Sequence, residues 1–177
     1  MKSFSTFVNV NLNESILVYR GIPVAGQDKL RDVTWVSTNR KHAEMYSDSL
    51  TAKDSGKGEV LEYKITKTLV PLDLQFVNAE VDVKYNDVRE RLNDAIINRF
   101  SEKKLTRETA LKLTDELRNL NFSGLFRVHE WMNKKPILNV IKKAGFNAIL
   151  QREGMKFGAG NIITYGILDK SILSKVK

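Results

Sequence analysis

The chain has 177 residues, no cysteine and a formal net charge of +8. The lack of cysteine excludes disulfides, thiolate metal sites and cysteine nucleophiles. With only His42 and His129, a histidine-based metal centre is not expected either. A hydrophobic content of 42% with 28% charged residues is typical of a globular protein. We therefore expect a single folded domain over residues 1–177.

The N-terminal stretch MKSFSTFVNVNLNES lacks the apolar core of a signal peptide. No segment approaches the roughly 20 apolar residues that a membrane-spanning helix needs. The sequence thus predicts a soluble, cytoplasmic protein with no membrane or metal partner. The positive charge favours an anionic partner, whether nucleic acid, cofactor or acidic protein, although dispersed lysine and arginine pairs also suit an ordinary solvated surface.

Strands are predicted at both ends of the chain, where β-branched and aromatic residues cluster or alternate with polar ones. The first of them should end at Gly21 and Pro23. The predicted strands cover residues 15–19, 33–37, 59–65, 68–74, 146–151 and 161–168.

Helices are predicted between these strands. Thr38 or Asn39 can cap a helix that carries Ala43 and Tyr46 on one face. Further helices are expected at 86–100, 106–120, 125–132 and 136–144, the last one ended by Gly145. Strands at both ends with helices concentrated in the middle predict an α+β fold and not a doubly wound parallel sheet.

The first candidate motif is Tyr19-Arg20-Gly21, at the end of the first predicted strand. An arginine followed by a glycine sets a planar cation beside bare backbone, which can hold a phosphate closely. A surface arginine before a turn glycine gives the same pattern without any ligand.

The second candidate motif is Ser37-Thr38-Asn39, between a strand and a helix. Hydroxyls at this place can bond a ligand at the start of the helix. They can equally cap the helix, which needs no ligand.

Taken together, in this order, the two motifs resemble the arginine-serine-glutamate branch of the ADP-ribosyltransferase superfamily. The small residue and aromatic that follow in such proteins match Ala43 and Tyr46. The segments EVLEYKI, AGFNAIL and TYGILDKSIL also look like later strands of the family. The resemblance touches about five short segments over residues 16–172.

The resemblance implies a split β-sheet with NAD bound in its cleft. It also implies that the protein is a mono-ADP-ribosyltransferase, which transfers ADP-ribose to a macromolecular target and is a glycosyltransferase by reaction class. Tyr19, Arg20 and Gly21 would hold an NAD phosphate, while Ser37, Thr38 and Asn39 would shape the nicotinamide pocket. Arg20, Ser37 and residue 164 should then face a common cleft. Small phage-encoded members of the superfamily suggest a viral effector or counter-defence factor.

The sequence departs from the family at its catalytic glutamate. Thr164 stands at that place, or Asn161 under a slipped alignment, and no acidic residue lies between Glu153 and Asp169. Threonine can bond a ribose hydroxyl but cannot supply the charge that stabilises an oxocarbenium-like transition state. Glu153 is the best remaining candidate for the catalytic carboxylate, although a solvated loop glutamate gives the same sequence.

Two other hypotheses stay open beside an active transferase. One is a fold that has lost catalysis and binds a partner, and the other is nucleic-acid binding by the basic surface independently of NAD. These residues are compatible with a protein, a nucleic-acid or a small-molecule target.

Overall fold

The computed structural model describes residues 15–23, 30–51, 58–73, 85–122, 134–153 and 162–176, with the backbone alone for 49–51, 85–87 and 152–153. Within these ranges the chain forms four α-helices and one seven-stranded mixed sheet. The strands are β1 (Ile16–Ile22), β2 (Thr34–Ser37), β3 (Glu59–Ile65), β4 (Pro71–Asp73), β5 (Ala148–Glu153), β6 (Ile162–Ile167) and β7 (Leu173–Lys175). The helices are α1 (Arg40–Thr51), α2 (Tyr85–Ser101), α3 (Arg107–Arg118) and α4 (Lys135–Lys143).

This architecture confirms the predicted α+β class. The strand order is β4-β5-β6-β2-β1-β3-β7, so all the predicted strands lie in one sheet. Only the β4–β5 pair is parallel among the described strands. Whereas β1 pairs with β3 along its whole length, it meets β2 at the single pair Tyr19↔Ser37. The sheet therefore has two halves that are joined at this one pair.

Residues on both faces of the sheet are buried. On one face, α2, α3 and α4 pack over Leu72 of β4 and Ile149 of β5. On the other face, Val18 of β1 and Leu150 of β5 belong to a second core cluster. Alternation along β5 explains this, because Ile149 and Leu150 point to opposite faces.

The helices begin and end where local chemistry requires. Thr106 caps α3, since its side chain accepts a hydrogen bond from the Thr109 amide. Gly145, with a φ of 84°, follows α4 and donates its amide to the Lys142 carbonyl. Together with the bond from the Phe146 amide to the Ile141 carbonyl, this is a Schellman motif, as the predicted helix end requires.

One expectation needs correction, and another concerns residues outside the described ranges. The first strand does not end at Gly21, because β1 continues to Ile22 with Gly21 paired to Val60. The predicted helix at 125–132 lies outside the described residues.

Candidate functional site

A row of side chains crosses five strands at the junction between the two halves of the sheet. We call these five residues the cross-strand row. In register they are Gln151, Thr164, Ser37, Tyr19 and Glu62. Residues directly opposed in antiparallel strands share one face, so their side chains lie on the same side of the sheet. Three motif residues named from the sequence, Tyr19, Ser37 and Thr164, are thereby brought together.

Helix α1 covers part of this face and bonds to the row. Ser37 Oγ lies 3.2 Å from His42 Nδ1 on α1 and accepts a hydrogen bond from the Asn39 amide at 3.1 Å. The Arg40 guanidinium lies 6.0 Å from the centre of the Tyr19 ring and 3.9 Å from a Glu62 carboxylate oxygen. The helix is thus held to β1, β2 and β3 by contacts with the row.

The centre of the row is closed to solvent. Ser37 is 3% exposed and Thr164 is 4% exposed, and His42 is buried between the strand and the helix. Thr164 Oγ1 donates to the Gln151 carbonyl at 3.4 Å. A serine beside a histidine can act as a nucleophile with its base. Here Ser37 is buried, so a substrate cannot reach its hydroxyl. The contact between Ser37 and His42 instead links β2 to α1.

Arg20 does not join this row. It is paired with Leu61 on β3, one residue beyond Tyr19, and alternation turns it to the opposite face of β1. Val18 and Ile22, which share that face, belong to the second core cluster. The expectation that Arg20, Ser37 and Thr164 face a common cleft is therefore wrong for Arg20.

Gly21 lies against α1 and not against open space. A Cβ at this position would overlap the Ala43 carbonyl oxygen and stand 2.8 Å from the Ser47 amide nitrogen. Both are backbone atoms of the helix, and real Cβ atoms do not approach so closely. The close packing of α1 on β1 thus explains the glycine without a phosphate.

Thr38 and Asn39 also have structural partners. The Thr38 amide and hydroxyl both donate to the Ile163 carbonyl, at 3.1 and 3.2 Å, which extends the β2–β6 pairing beyond the strand. The Asn39 carboxamide oxygen accepts from the His42 amide at 3.2 Å, so Asn39 caps α1. Of the two caps that the sequence allowed, Asn39 is the one used.

The structure describes part of the positions at which the resemblance would place a carboxylate. Glu153 ends β5, where its backbone pairs with Ile162, two residues along from the Gln151–Thr164 pair. The Glu153 side chain and Asn161 lie outside the described residues. Glu62 stands three strands away from Thr164, which at about 4.8 Å per strand is about 14 Å. It is too distant to replace a carboxylate at Thr164.

Sequence reasoning missed His42 and Gln151, which complete the buried polar centre. The available signal was that His42 immediately precedes Ala43 on the predicted inner face of α1. Ala43 is indeed buried, whereas Tyr46 is 48% exposed, and its ring lies nearly perpendicular to the His42 ring with the two ring centres 5.0 Å apart.

Among the described residues, no group of three or more histidine, cysteine or acidic side chains could hold a metal ion. In the same part of the chain, no helix is both long and apolar enough to cross a membrane. No family model, curated protein or solved structure matches this sequence.

Proposed function

We propose that this chain has an ADP-ribosyltransferase-like fold and acts by binding a macromolecular partner, without transferring ADP-ribose from NAD. The strand order supports the first part. The strands bearing the Arg20, Ser37 and Thr164 motifs are neighbours, and the sheet is joined there by a single pair. A split sheet with this order of motifs is what the sequence resemblance implies.

The second part rests on one observation, the burial of Ser37 and Thr164 as directly paired residues at the centre of the cross-strand row. Loss of nicotinamide leaves positive charge on the ribose, and a fixed carboxylate is what stabilises it. Removing one such electrostatic group typically costs about 10²–10³ in rate. Thr164 supplies no charge, and its hydroxyl already donates to the Gln151 carbonyl.

An active transferase is the competing function, and the backbone position of Glu153 favours it. Glu153 ends the strand beside β6, about 7 Å along β5 from the residue that pairs with Thr164, at about 3.4 Å per residue. In that case Glu153 would supply the missing charge, and the NAD phosphate would need another partner than Arg20, which lies on the face opposite Ser37. For either function, the small phage-encoded members of the superfamily support a viral effector or counter-defence factor acting in the cytoplasm.

Incubation with labelled NAD and cell lysate separates the two functions. The proposal expects the wild type to transfer no label and to cleave no NAD. Label transfer by the wild type that Glu153→Gln lowers about 10²–10³-fold would refute it. Glu108→Gln, at an exposed position of α3, is the matched control for removing one carboxylate.

Calorimetry with NAD tests the cofactor site separately from catalysis. If Arg20 holds a phosphate, Arg20→Lys keeps the charge but loses the planar fork, and affinity should fall by about 1–2 kcal/mol. Equal affinity in the wild type and Arg20→Ala would show that Arg20 does not hold the cofactor. That outcome fits its place on the face opposite Ser37.

A further inference from the structure

The hairpin formed by α2 and α3 exposes three large apolar side chains. Ile97 and Phe100 belong to α2 and Leu111 to α3, and Leu111 is 58% exposed. They are three of the five large hydrophobic side chains that are exposed in the described part of the chain. We call them the hairpin apolar residues. Single apolar residues are common on a protein surface, whereas a contiguous group of them marks an interface.

Phe100 lies on the side of α2 that faces α3. Arg89 marks this side, because its guanidinium donates to the Leu120 carbonyl just beyond α3 at 2.8 Å. Phe100 follows Arg89 by about three helical turns, so the two side chains share one side of α2. Ile97 is three residues before Phe100 and is therefore its neighbour on the helix surface.

Leu111 lies on the side of α3 that is turned away from α4. Glu116 marks the α4 side, because it binds Lys143 of α4 at 2.9 Å. Leu111 is five positions before Glu116, which at about 100° per residue turns it about 140° from that side. Since α3 packs against both α2 and α4, the side away from α4 is the side next to α2.

The two helices run antiparallel, which brings the hairpin apolar residues together. Arg89, near the start of α2, reaches Leu120 after the end of α3, and residues 102–106 join the other two helix ends. Phe100 is in the last turn of α2 and Leu111 is in the second turn of α3, so both lie near this connection. The hairpin apolar residues therefore form one patch on the outer surface of the hairpin.

The charges around this patch are balanced. Helix α2 carries three acidic and three basic residues, and α3 carries three of each as well. The formal net charge of +8 thus lies outside these two helices. A nucleic acid needs a cationic surface, and a strongly charged protein needs a surface of opposite net charge. A balanced surface with an apolar centre suits another surface of the same kind, which a second copy of the chain supplies.

The order of charges along α3 also suits a second copy. In a two-fold symmetric contact the same patch meets itself. With Leu111 on the axis and the two α3 helices antiparallel, Arg107 of each copy is opposite Asp115 of the other, because both are four residues from Leu111. Within one chain Asp115 contacts Arg118 at 3.3 Å, an exposed pair that contributes little and that a second copy can share.

We propose that the hairpin apolar residues bind a second copy of this chain, with the α3 helices antiparallel and Leu111 on the two-fold axis. This inference goes beyond the proposed function and does not depend on it. Burial of the patch supplies the affinity, and the pairs between Arg107 and Asp115 set the register. Helix α3 has 12 residues and is about 18 Å long, so the interface is small and the dimer should be weak and reversible.

Sedimentation equilibrium of the full chain over a wide range of concentrations, at low and high sodium chloride, tests the proposal first. We expect reversible dimers whose dissociation constant stays the same or falls at high salt, because salt screens the repulsion between two copies of charge +8. A monomer at every concentration would overturn the proposal and leave the patch to a different protein. Dimers that dissociate at high salt would overturn it too, since their contact would be ionic.

Leu111→Lys should raise the dissociation constant about 100-fold or more. Two leucines leave the interface, and two ammonium groups meet at the axis. Lysine has nearly the helix propensity of leucine and is spaced to pair with Glu108 and Asp115, so α3 should still form. Met45→Lys, at an exposed apolar position of α1, is the matched control and should dimerise like the wild type. Equal weakening by both variants would refute a contact at α3.

A disulfide tests the position of the axis, and the chain has no cysteine of its own to interfere. Leu111→Cys brings two thiols together across the axis, so oxidation by diamide should link most of the dimer covalently. Met45→Cys, on exposed α1, should give little linked product at the same concentration. Equal linking of the two variants, or no linking of Leu111→Cys where the wild type dimerises, would overturn the proposed contact.

Discussion

Replacing Gly21 by alanine tests whether this glycine is needed for the packing of α1 on β1 or for the binding of a cofactor phosphate. In the structure, the added Cβ would overlap the Ala43 carbonyl oxygen and approach the Ser47 amide nitrogen to 2.8 Å. Helix α1 would have to move away from β1, which disturbs the contacts of His42 and Arg40 with the cross-strand row. If Gly21 instead serves to let a phosphate approach, alanine should affect NAD binding and leave stability nearly unchanged.

The expected cost follows from overpacking. Inserting a methyl group into well-packed structure typically costs about 1–3 kcal/mol, and backbone neighbours place Gly21→Ala at the upper end. For a chain of this size, each kcal/mol shifts Tm by about 2–4 °C, so a loss of 2–3 kcal/mol lowers Tm by about 4–12 °C. Urea unfolding followed by circular dichroism gives the free energy of unfolding directly.

Gly166→Ala is the matched control, since Gly166 is also a strand glycine. Its nearest neighbours are the side-chain atoms Val33 Cγ1 at 2.9 Å and Trp35 Cη2 at 3.1 Å, both in half-buried residues that can shift. It should cost less than Gly21→Ala. Gly21→Ala with wild-type stability would refute the close packing of α1 on β1 and restore a ligand as the reason for the glycine.

Three smaller changes test other parts of the structure. Asn39→Ala removes the acceptor of the His42 amide and should destabilise the protein by about 1 kcal/mol in urea unfolding, whereas Asn39→Asp should retain most of the cap. Lys103 has a φ of 57° in the turn after α2, so Lys103→Gly should stabilise by about 0.5–1 kcal/mol, and a lower midpoint would contradict that strain. The lowered pKa of Asp169 stabilises the fold above the ordinary carboxyl pKa of 3.8, and that contribution is lost as pH falls through the folded pKa. Asp169→Asn should therefore be less stable than wild type at pH 6, with a difference that shrinks in unfolding curves towards pH 2; a constant difference would contradict the linkage.

The elements could be predicted from the sequence because their signals are local. Alternation placed β3 at 59–65 without error. The end of β1 is mispredicted from the sequence, because a glycine and a proline close together are typical of the end of a strand. Gly21 is used instead where a distant helix crosses the strand. The short strand β7 was missed, since three residues are too few to show a period.

The site was predicted less well, because it depends on the register between strands. The order of motifs correctly brought Tyr19, Ser37 and Thr164 into neighbouring strands. A shift of one residue in the register of β1 would turn every side chain of that strand to the other face of the sheet. Such a shift would place Arg20, in place of Tyr19, on the same face as Ser37. No pattern within β1 alone determines that choice.

The motif residues can therefore be explained by the docking of α1 without any ligand. Gly21 gives room for the helix, Asn39 caps it, and Ser37 bonds to its first turn through His42. A protein that lost its chemistry would still need these residues in order to fold. Their presence is explained by the packing of α1, and it carries little information about NAD. Only a substitution whose effects on stability and on binding are measured separately can distinguish a retained scaffold from a working site.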